Sequence, residues 1–361
     1  MSCDGNSRGP RRIRALLADD SGVMRNLLRM VLEAQPWIEI AAVARNGREA
    51  VEEFERTRPN LVILDVEMPE LNGLEALARI RRADRTVPII MCSAYTQRGA
   101  QATIAALSQG ATDYVAKPSG QSGVREGIIA LEQQLIPKLA ALFSEPAVSC
   151  SAQVTTPFPT ARHGHSASGL DVVVIGVSTG GPAALEAILP RLPAQFPLPI
   201  LIAQHMPLRF TEQLALRLNS ICALTVREAE DGFRPQPGVV EIARGDWHLE
   251  LRPGLRLHLD QKAPVNFCRP SVDILFRSAA EACNGRVLGV VLTGMGSDGV
   301  TGCESIRAAG GTVFAQDAAS SVVWGMPGAV VHAGLACKVL PLHAIAGEIA
   351  NSVSASMLKT A

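Results

Sequence analysis

Ser178 stands in Gly176-Val177-Ser178-Thr179-Gly180-Gly181-Pro182, directly after the apolar run Val172 to Val177. A serine at a glycine turn between a strand and a helix exposes its hydroxyl at the sheet edge. Backbone N–H groups of such a turn point outward, ready for an oxyanion. Gly176 to Gly180 also fits the G-x-S-x-G nucleophile-elbow pattern. The same turn serves equally as a phosphate cradle or as plain tight packing. A serine nucleophile needs a base. Of the seven histidines, His205 is the best placed, because Gln204-His205-Met206-Pro207 follows the apolar strand Ile200 to Ala203. His163 and His165 fall in a Ser/Thr/Pro-rich stretch, and His258 lies on the polar face of a strand, where it is expected to be solvated. His248, His332 and His343 have less defined surroundings. Asp298, in Leu292-Thr293-Gly294-Met295-Gly296-Ser297-Asp298-Gly299, again ends a buried strand and precedes a helix. It suits either a helix N-cap or the acid that orients His205. The chain order Ser, His, Asp argues against an α/β-hydrolase, which runs Ser, acid, His.

A second group is acidic. Asp19-Asp20 follow the run Ile13 to Ala18, Asp65 follows Leu61 to Leu64, Ser93 follows Val87 to Cys92, and Lys117-Pro118 follow Asp113 to Val115. In a parallel sheet these strand ends converge on one edge, where ligands bind. Three carboxylates brought together repel one another and call for a hard divalent cation such as Mg²⁺. A carboxylate beside Mg²⁺ and an ammonium group can accept a phosphoryl group, since both cations offset the developing charge.

The elements that must position these residues alternate apolar runs with helical periodicity. Helical faces are marked by Met24, Leu27, Leu28 and Val31, by Ala50, Val51 and Phe54, and by Leu74, Leu77 and Ile80. Five βα units, with Ile38 to Val43 as second strand, predict a doubly wound parallel sheet over residues 12–143, closed by a helix from Gly123 to Phe143. Residues 144–169 are rich in Ser, Thr and Pro and predict a flexible linker. Residues 170–352 predict a larger, mostly parallel α/β domain. Its strands are Val172 to Val177, Ile200 to Ala203, Val287 to Leu292, Thr312 to Ala315 and Lys338 to Leu340. Alternating Leu255, Leu257 and Leu259 suggest antiparallel pieces in its middle. Helices fall at Pro182 to Leu189, Thr211 to Leu218, Val272 to Ala282 and Gly299 to Ala309.

Composition excludes several classes. The 361 residues carry 34 Lys+Arg and 34 Asp+Glu, so no net charge draws the chain to nucleic acid or an anionic membrane. Aromatics are only 4%, too few for a base-stacking surface, while 47% hydrophobic residues suffice for real cores. No apolar run approaches the ~20 residues of a membrane span, and Met1 to Arg14 lacks a signal-peptide core. The chain is therefore expected in the cytoplasm, with its eight scattered cysteines reduced, while its oligomeric state is left open with a monomer favoured.

The stretch from Ile13 to Lys117 closely resembles a bacterial response-regulator receiver domain. The resemblance implies that Asp65 accepts phosphate from a histidine kinase. It implies Mg²⁺ held by Asp20, Asp65 and the backbone carbonyl of Glu67, with Asp19 assisting through water. Ser93 and Tyr114 match its hydroxyl and aromatic switch positions, and Lys117 its phosphate-sensing lysine. Gly176 to Gly181, Gln204 to Pro207, Arg269-Pro-Ser-Val-Asp273, Leu292 to Gly299 and Ser321-Val-Val-Trp-Gly-Met-Pro327 together resemble the methylesterase domain of chemotaxis response regulators. That resemblance implies a Ser178, His205, Asp298 triad, with Thr179 and Met295 at supporting positions and the Met295 N–H in the oxyanion hole. It implies hydrolysis of glutamate γ-methyl esters on chemotaxis receptors, deamidation of selected glutamines, and no cofactor for the hydrolysis itself. Arg244 departs from the family, which commonly has proline there. Two other outputs stay open on the residues alone, a DNA-binding module and a non-catalytic scaffold. If the receiver restrains the second domain, deleting Met1 to Ser168 raises basal activity, which an assay of the truncated chain checks.

Overall fold

The computed structural model describes residues 12–118, 123–143 and 169–358, which fall into two compact units. Apart from Gly169, the predicted linker 144–169 lies outside the described residues, as do His163 and His165.

The first unit runs β1 (Ile13–Ala18), α1 (Gly22–Glu33), β2 (Ile38–Ala44), α2 (Gly47–Thr57), β3 (Leu61–Asp65), α3 (Gly73–Ala83), β4 (Ile89–Ser93), α4 (Gln97–Ser108), β5 (Asp113–Ala116) and α5 (Val124–Phe143). The sheet order is β2-β1-β3-β4-β5, with every pair parallel. α1 starts where Ser21 caps it, its hydroxyl accepting from Met24 N at 3.3 Å. It buries Met24, Leu27, Leu28 and Val31 against Leu131, Leu135 and Leu139 of α5, the i, i+4, i+8 stripe of that helix. α3 begins in a capping box between Asn72 and Glu75. α4 escaped the sequence reading because its buried face is mostly small, with Gly99, Ala100, Thr103 and Ala106 beside Ile104 and Leu107.

The second unit runs β6 (Val172–Val177), α6 (Gly181–Ile188), β7 (Ile200–Gln204), α7 (Phe210–Ile221), β8 (Thr225–Glu228), β9 (Val239–Ile242), β10 (His248–Arg252), β11 (Arg256–Asp260), α8 (Val272–Ala282), β12 (Val287–Val291), α9 (Val300–Ala308), β13 (Thr312–Gln316), α10 (Met326–His332), β14 (Lys338–Leu340) and α11 (Leu342–Leu358). Seven strands form one sheet in the order β14-β13-β12-β6-β7-β9-β8, again with every pair parallel. The antiparallel piece is separate: β10 and β11 pair as a hairpin, Leu249 opposite Leu259 and Leu251 opposite Leu257. These leucines are buried with Leu275, Phe276 and Ala279 of α8. Each fully buried aliphatic side chain of this core contributes about 1.5–3 kcal/mol.

Strand order reverses at β6, with β7 on one side and β12 on the other. A doubly wound sheet opens its ligand crevice at such a reversal, beyond the strand C-termini. Val177 pairs with Gln204 and Gly176 with Val291, so the three strands end level with one another. The first unit has the same reversal at β1, between β2 and β3.

Candidate active site

The crevice of the second unit gathers the loops that leave β6, β7 and β12. Ser178 opens the turn after β6, where its N–H donates to Thr293 O at 3.1 Å and its carbonyl accepts from Gln204 Nε2 at 3.0 Å. Gly180 then caps α6 with φ at 78°, a left-handed conformation that favours glycine, and Pro182 takes the first helical turn. His205 follows β7, its N–H donating to Val177 O at 3.1 Å. Asp298 lies in the loop after β12 and is 2% exposed. Thr293 clamps this loop onto the Ser178 turn, its hydroxyl donating to Thr179 O at 2.9 Å. Thr179 is therefore buried in the turn. The Met295 N–H, two residues after Thr293, donates to no described residue.

Asp298 does not cap its own helix. Gly299 occupies the N-cap of α9, and the Asp298 carboxylate turns instead to the N-terminus of α8. There it accepts from Val272 N at 2.7 Å, Ser271 Oγ at 2.9 Å and Asp273 N at 3.2 Å. Asp273 returns the arrangement, accepting from Gly299 N at 2.9 Å and Gly302 N at 2.7 Å at the start of α9. Each helix start, with its positive dipole end, is thus held by the other's carboxylate. His205 Nε2 meets Asp298 Oδ2 at 2.8 Å. His205 Nδ1 meets Cys268 Sγ at 3.5 Å, and no hydrogen bond reaches it from Ser178 Oγ. The structure therefore joins His205 to Asp298 directly and brings Ser178 to the adjoining strand end.

Burial alone would lower the His205 pKa, but the hydrogen bonds to Asp298 and Cys268 outweigh it and raise it to about 9. Burial would raise Asp298, but His205 and the α8 N–H groups hold it well below the usual carboxylate range. An imidazolium cannot accept a serine proton. Turnover at this site is therefore expected to rise with pH on a limb centred near 9 for the free enzyme. Replacing Cys268 by Ser should shift that limb downward, since the thiol is one of the groups raising the imidazole. A pH profile of kcat/KM flat from 6 to 10 would contradict this assignment of the base.

Gly294 allows the two turns to approach. A Cβ there would lie 2.8 Å from Ser178 Cβ, so one turn would have to shift. Gly294→Ala is expected to lower turnover at Ser178 by about 100-fold, because misplacement by ~1 Å is enough for that loss. Unchanged turnover would show that the turns have room to spare.

Cys268, Asn266, Ser271 and Asp273 reach this site without having been singled out by chemistry, although Arg269 to Asp273 carried a recognisable motif. Other histidines lie elsewhere. His258 is not simply solvated, since its Nδ1 pairs with Asp231 Oδ1 at 3.0 Å. His248 is buried with Nε2 on Ala263 O, and His332 packs edge-on to Trp324. Arg244 stacks over Trp247 at 6.0 Å.

In the first unit the strand ends bring the acidic group together. Asp19 is fully buried, Asp65 nearly so, and Asp20 exposed. One carboxylate oxygen of each lies within 4.8 Å of the others. Lys117 Nζ reaches Asp19 Oδ2 at 2.9 Å and Asp65 Oδ2 at 2.7 Å. Burial, then the neighbouring Asp19, raises Asp65 to about 6, even against Lys117. Burial likewise raises Asp19. Three carboxylates against one ammonium leave an excess of negative charge that a hard divalent cation suits. A cavity of about 450 Å³ lined by Asp20, Glu67 and Arg98 opens beside the cluster. Ser93 Oγ donates to Gly99 O at 2.9 Å. Tyr114 is buried, with Lys138 Nζ 5.0 Å from its ring centre.

Residues 173–349 match the family model for CheB methylesterase, and residues 15–128 match that for the response regulator receiver domain. A protein-glutamate methylesterase/protein-glutamine glutaminase of Trichodesmium erythraeum is 46% identical over 350 residues, spanning 95% of this chain and 99% of that protein. A protein of the same name from Thermotoga maritima is 40% identical, spanning 95% of this chain and 99% of its own. The crystal structure of the Thermotoga maritima CheB methylesterase catalytic domain is 45% identical. It aligns over 51% of this chain and 100% of that domain, with a TM-score of 0.50.

Proposed function

The chain belongs to the CheB methylesterase family, and from that premise we propose that Ser178, His205 and Asp298 hydrolyse glutamate γ-methyl esters on chemotaxis receptors, under control of Asp65 in the receiver domain. The enzyme is a protein-glutamate methylesterase and protein-glutamine glutaminase. The observation that carries the site is the 2.8 Å bond from His205 Nε2 to Asp298 Oδ2, one strand away from Ser178.

Asp298, fixed by α8, holds Nε2–H and leaves Nδ1 as the accepting nitrogen. The Ser178 hydroxyl exchanges for the Cys268 contact at Nδ1, gives up its proton there and attacks the γ-acyl carbon. The Met295 N–H, which has no described acceptor, donates to the oxyanion, with Thr179 shaping the same turn. The imidazolium, stabilised by Asp298, returns the proton to the departing methoxide, so methanol leaves. Water then enters with His205 as base and resolves the acyl-enzyme. Glutamine follows the same path and releases ammonia, a poorer leaving group, so deamidation is the slower reaction. None of these steps calls for a metal or organic cofactor.

In the receiver, Asp20, Asp65 and the carbonyl of Glu67, with Asp19 assisting through water, would hold Mg²⁺, which would offset the charge of an incoming phosphoryl group. Asp65 accepts that group from a histidine kinase, and Lys117 pairs with it. Ser93 and Tyr114 answer the change as switch residues. No described helix is long and apolar enough to cross a membrane. We place the enzyme in the cytoplasm as a monomer, its partners being receptors and kinase, not nucleic acid. Residues 144–169 serve as linker between domains 12–143 and 170–352. Asp65→Asn is expected to abolish phosphate incorporation from a small phosphodonor with Mg²⁺, and with it the rise in methanol release. A variant activated as fully as wild type would contradict the role of Asp65.

A further inference from the structure

Residues 265–268 make a two-residue hairpin turn beside the site. Val265 N donates to Cys268 O at 3.1 Å, and Cys268 N to Val265 O at 2.8 Å. Its central residues, Asn266 and Phe267, both have positive φ, 50° and 62°. Turns of this kind favour Asn followed by Gly. Asn266 fits, but a bulky side chain in the left-handed region is strained. The Phe267 ring gains no packing in return. Phe267 is 103% exposed, more than any other large apolar residue among those described. Both neighbours turn the other way. Asn266 Nδ2 donates to Asp273 Oδ2 at 2.9 Å and to Asp298 Oδ1 at 3.2 Å, while Cys268 Sγ meets His205 Nδ1. The turn that grips the imidazole and its carboxylate therefore holds one aromatic ring out into solvent. The rim near Ser178 is apolar as well, since half-exposed Val322 lies 2.7 Å from where a Cβ at Gly180 would stand.

A strained residue persists where its surroundings over-determine it, and such residues cluster at binding sites. A methyl ester offers the enzyme one carbonyl and one methyl, which cannot tell a protein side chain from a free ester. A rigid ring fixed to the catalytic turn adds contact beyond the ester at little entropic cost. We propose that Phe267 is a substrate-positioning residue, its ring packing on an apolar side chain of the receptor beside the esterified glutamate. This rests on the hydrolase reading of Ser178.

The test compares the full-length wild type with Phe267→Gly, which suits the left-handed backbone, and Phe267→Trp. Two substrates are used, a methylated receptor fragment and the diffusible N-acetylglutamate γ-methyl ester. For Phe267→Gly the receptor KM is expected to rise about tenfold, as for loss of one desolvated aromatic contact. Receptor kcat and hydrolysis of the small ester should stay within about twofold of wild type, since no contact with the reacting atoms is lost. Phe267→Trp should keep the wild-type KM. An unchanged receptor KM, or equal losses on both substrates, would overturn the proposal. So would a rise in receptor turnover, which would mean that the ring packs on this chain itself. Equal hydrolysis of the small ester by wild type and Ser178→Ala would overturn the hydrolase reading instead, and the proposal with it.

Discussion

Ser178→Ala is expected to release methanol from methylated receptor at least ~10⁴-fold more slowly than wild type, because removing the nucleophile of a triad leaves only binding and oxyanion stabilisation. The fold should be unaffected. Ser178 is held by its backbone, through Thr293 O and Gln204 Nε2, and its hydroxyl donates to no described residue. Thermal unfolding should therefore match wild type within about 1 °C, as for a substitution that strands no buried partner. A serine-directed phosphonate should label wild type on the peptide containing Ser178 and leave the variant unlabelled. Near-normal methanol release by Ser178→Ala would remove Ser178 from the mechanism.

Asp298→Asn should fail in two ways at once. Activity should fall by about 10⁴-fold, since an amide no longer fixes the imidazole tautomer or stabilises the imidazolium. Stability should fall by about 2–4 kcal/mol, because the buried carboxylate accepts from Val272 N, Asp273 N, Ser271 Oγ and Asn266 Nδ2 as well as from His205. An amide offers one acceptor oxygen and turns an NH₂ group toward donors. The pH dependence has a definite sign. Asp298 is depressed in the folded state, so its contribution is present at neutral pH and is lost as pH falls below the ordinary carboxylate range. Wild type and Asp298→Asn should thus differ most in unfolding midpoint near neutrality and converge in acid. Equal stabilities at neutral pH would mean that the carboxylate does not hold α8. Retained activity would mean that it does not orient the base.

Much of this was legible because parallel sheets simplify the problem. Apolar runs such as Val172 to Val177 and Leu61 to Leu64 mark buried strands, and the residue after each run must lie at the sheet edge. That rule locates Asp65 and Ser178, and His205 comes one residue further on, after Gln204. Some of the pieces that escaped lack a bulky periodic pattern. β8, Thr225-Val-Arg-Glu228, is an edge strand with one buried residue, Val226. α11 is built largely from Ala, Ser and Gly between its aliphatic residues. β10 alternates cleanly, yet its partner register with β11 depends on a turn at Leu255, which takes φ of 54°. At the site, periodicity cannot show that a carboxylate leaving β12 folds back to cap α8. The Asp298 carboxylate caps a helix start, but that of α8 and not of the α9 that follows it in sequence. Cys268 was invisible for the same reason, since its meeting with His205 is a tertiary contact across 63 positions of sequence.

Receptor methyl esters are expected to be hydrolysed at Ser178, and faster when Asp65 is phosphorylated. Methanol release from methylated receptor, followed with and without a small phosphodonor plus Mg²⁺, tests this expectation most directly. Release is expected at a basal rate that the phosphodonor raises in wild type and leaves unchanged in Asp65→Asn. No methanol above the enzyme-free blank in either condition would contradict it.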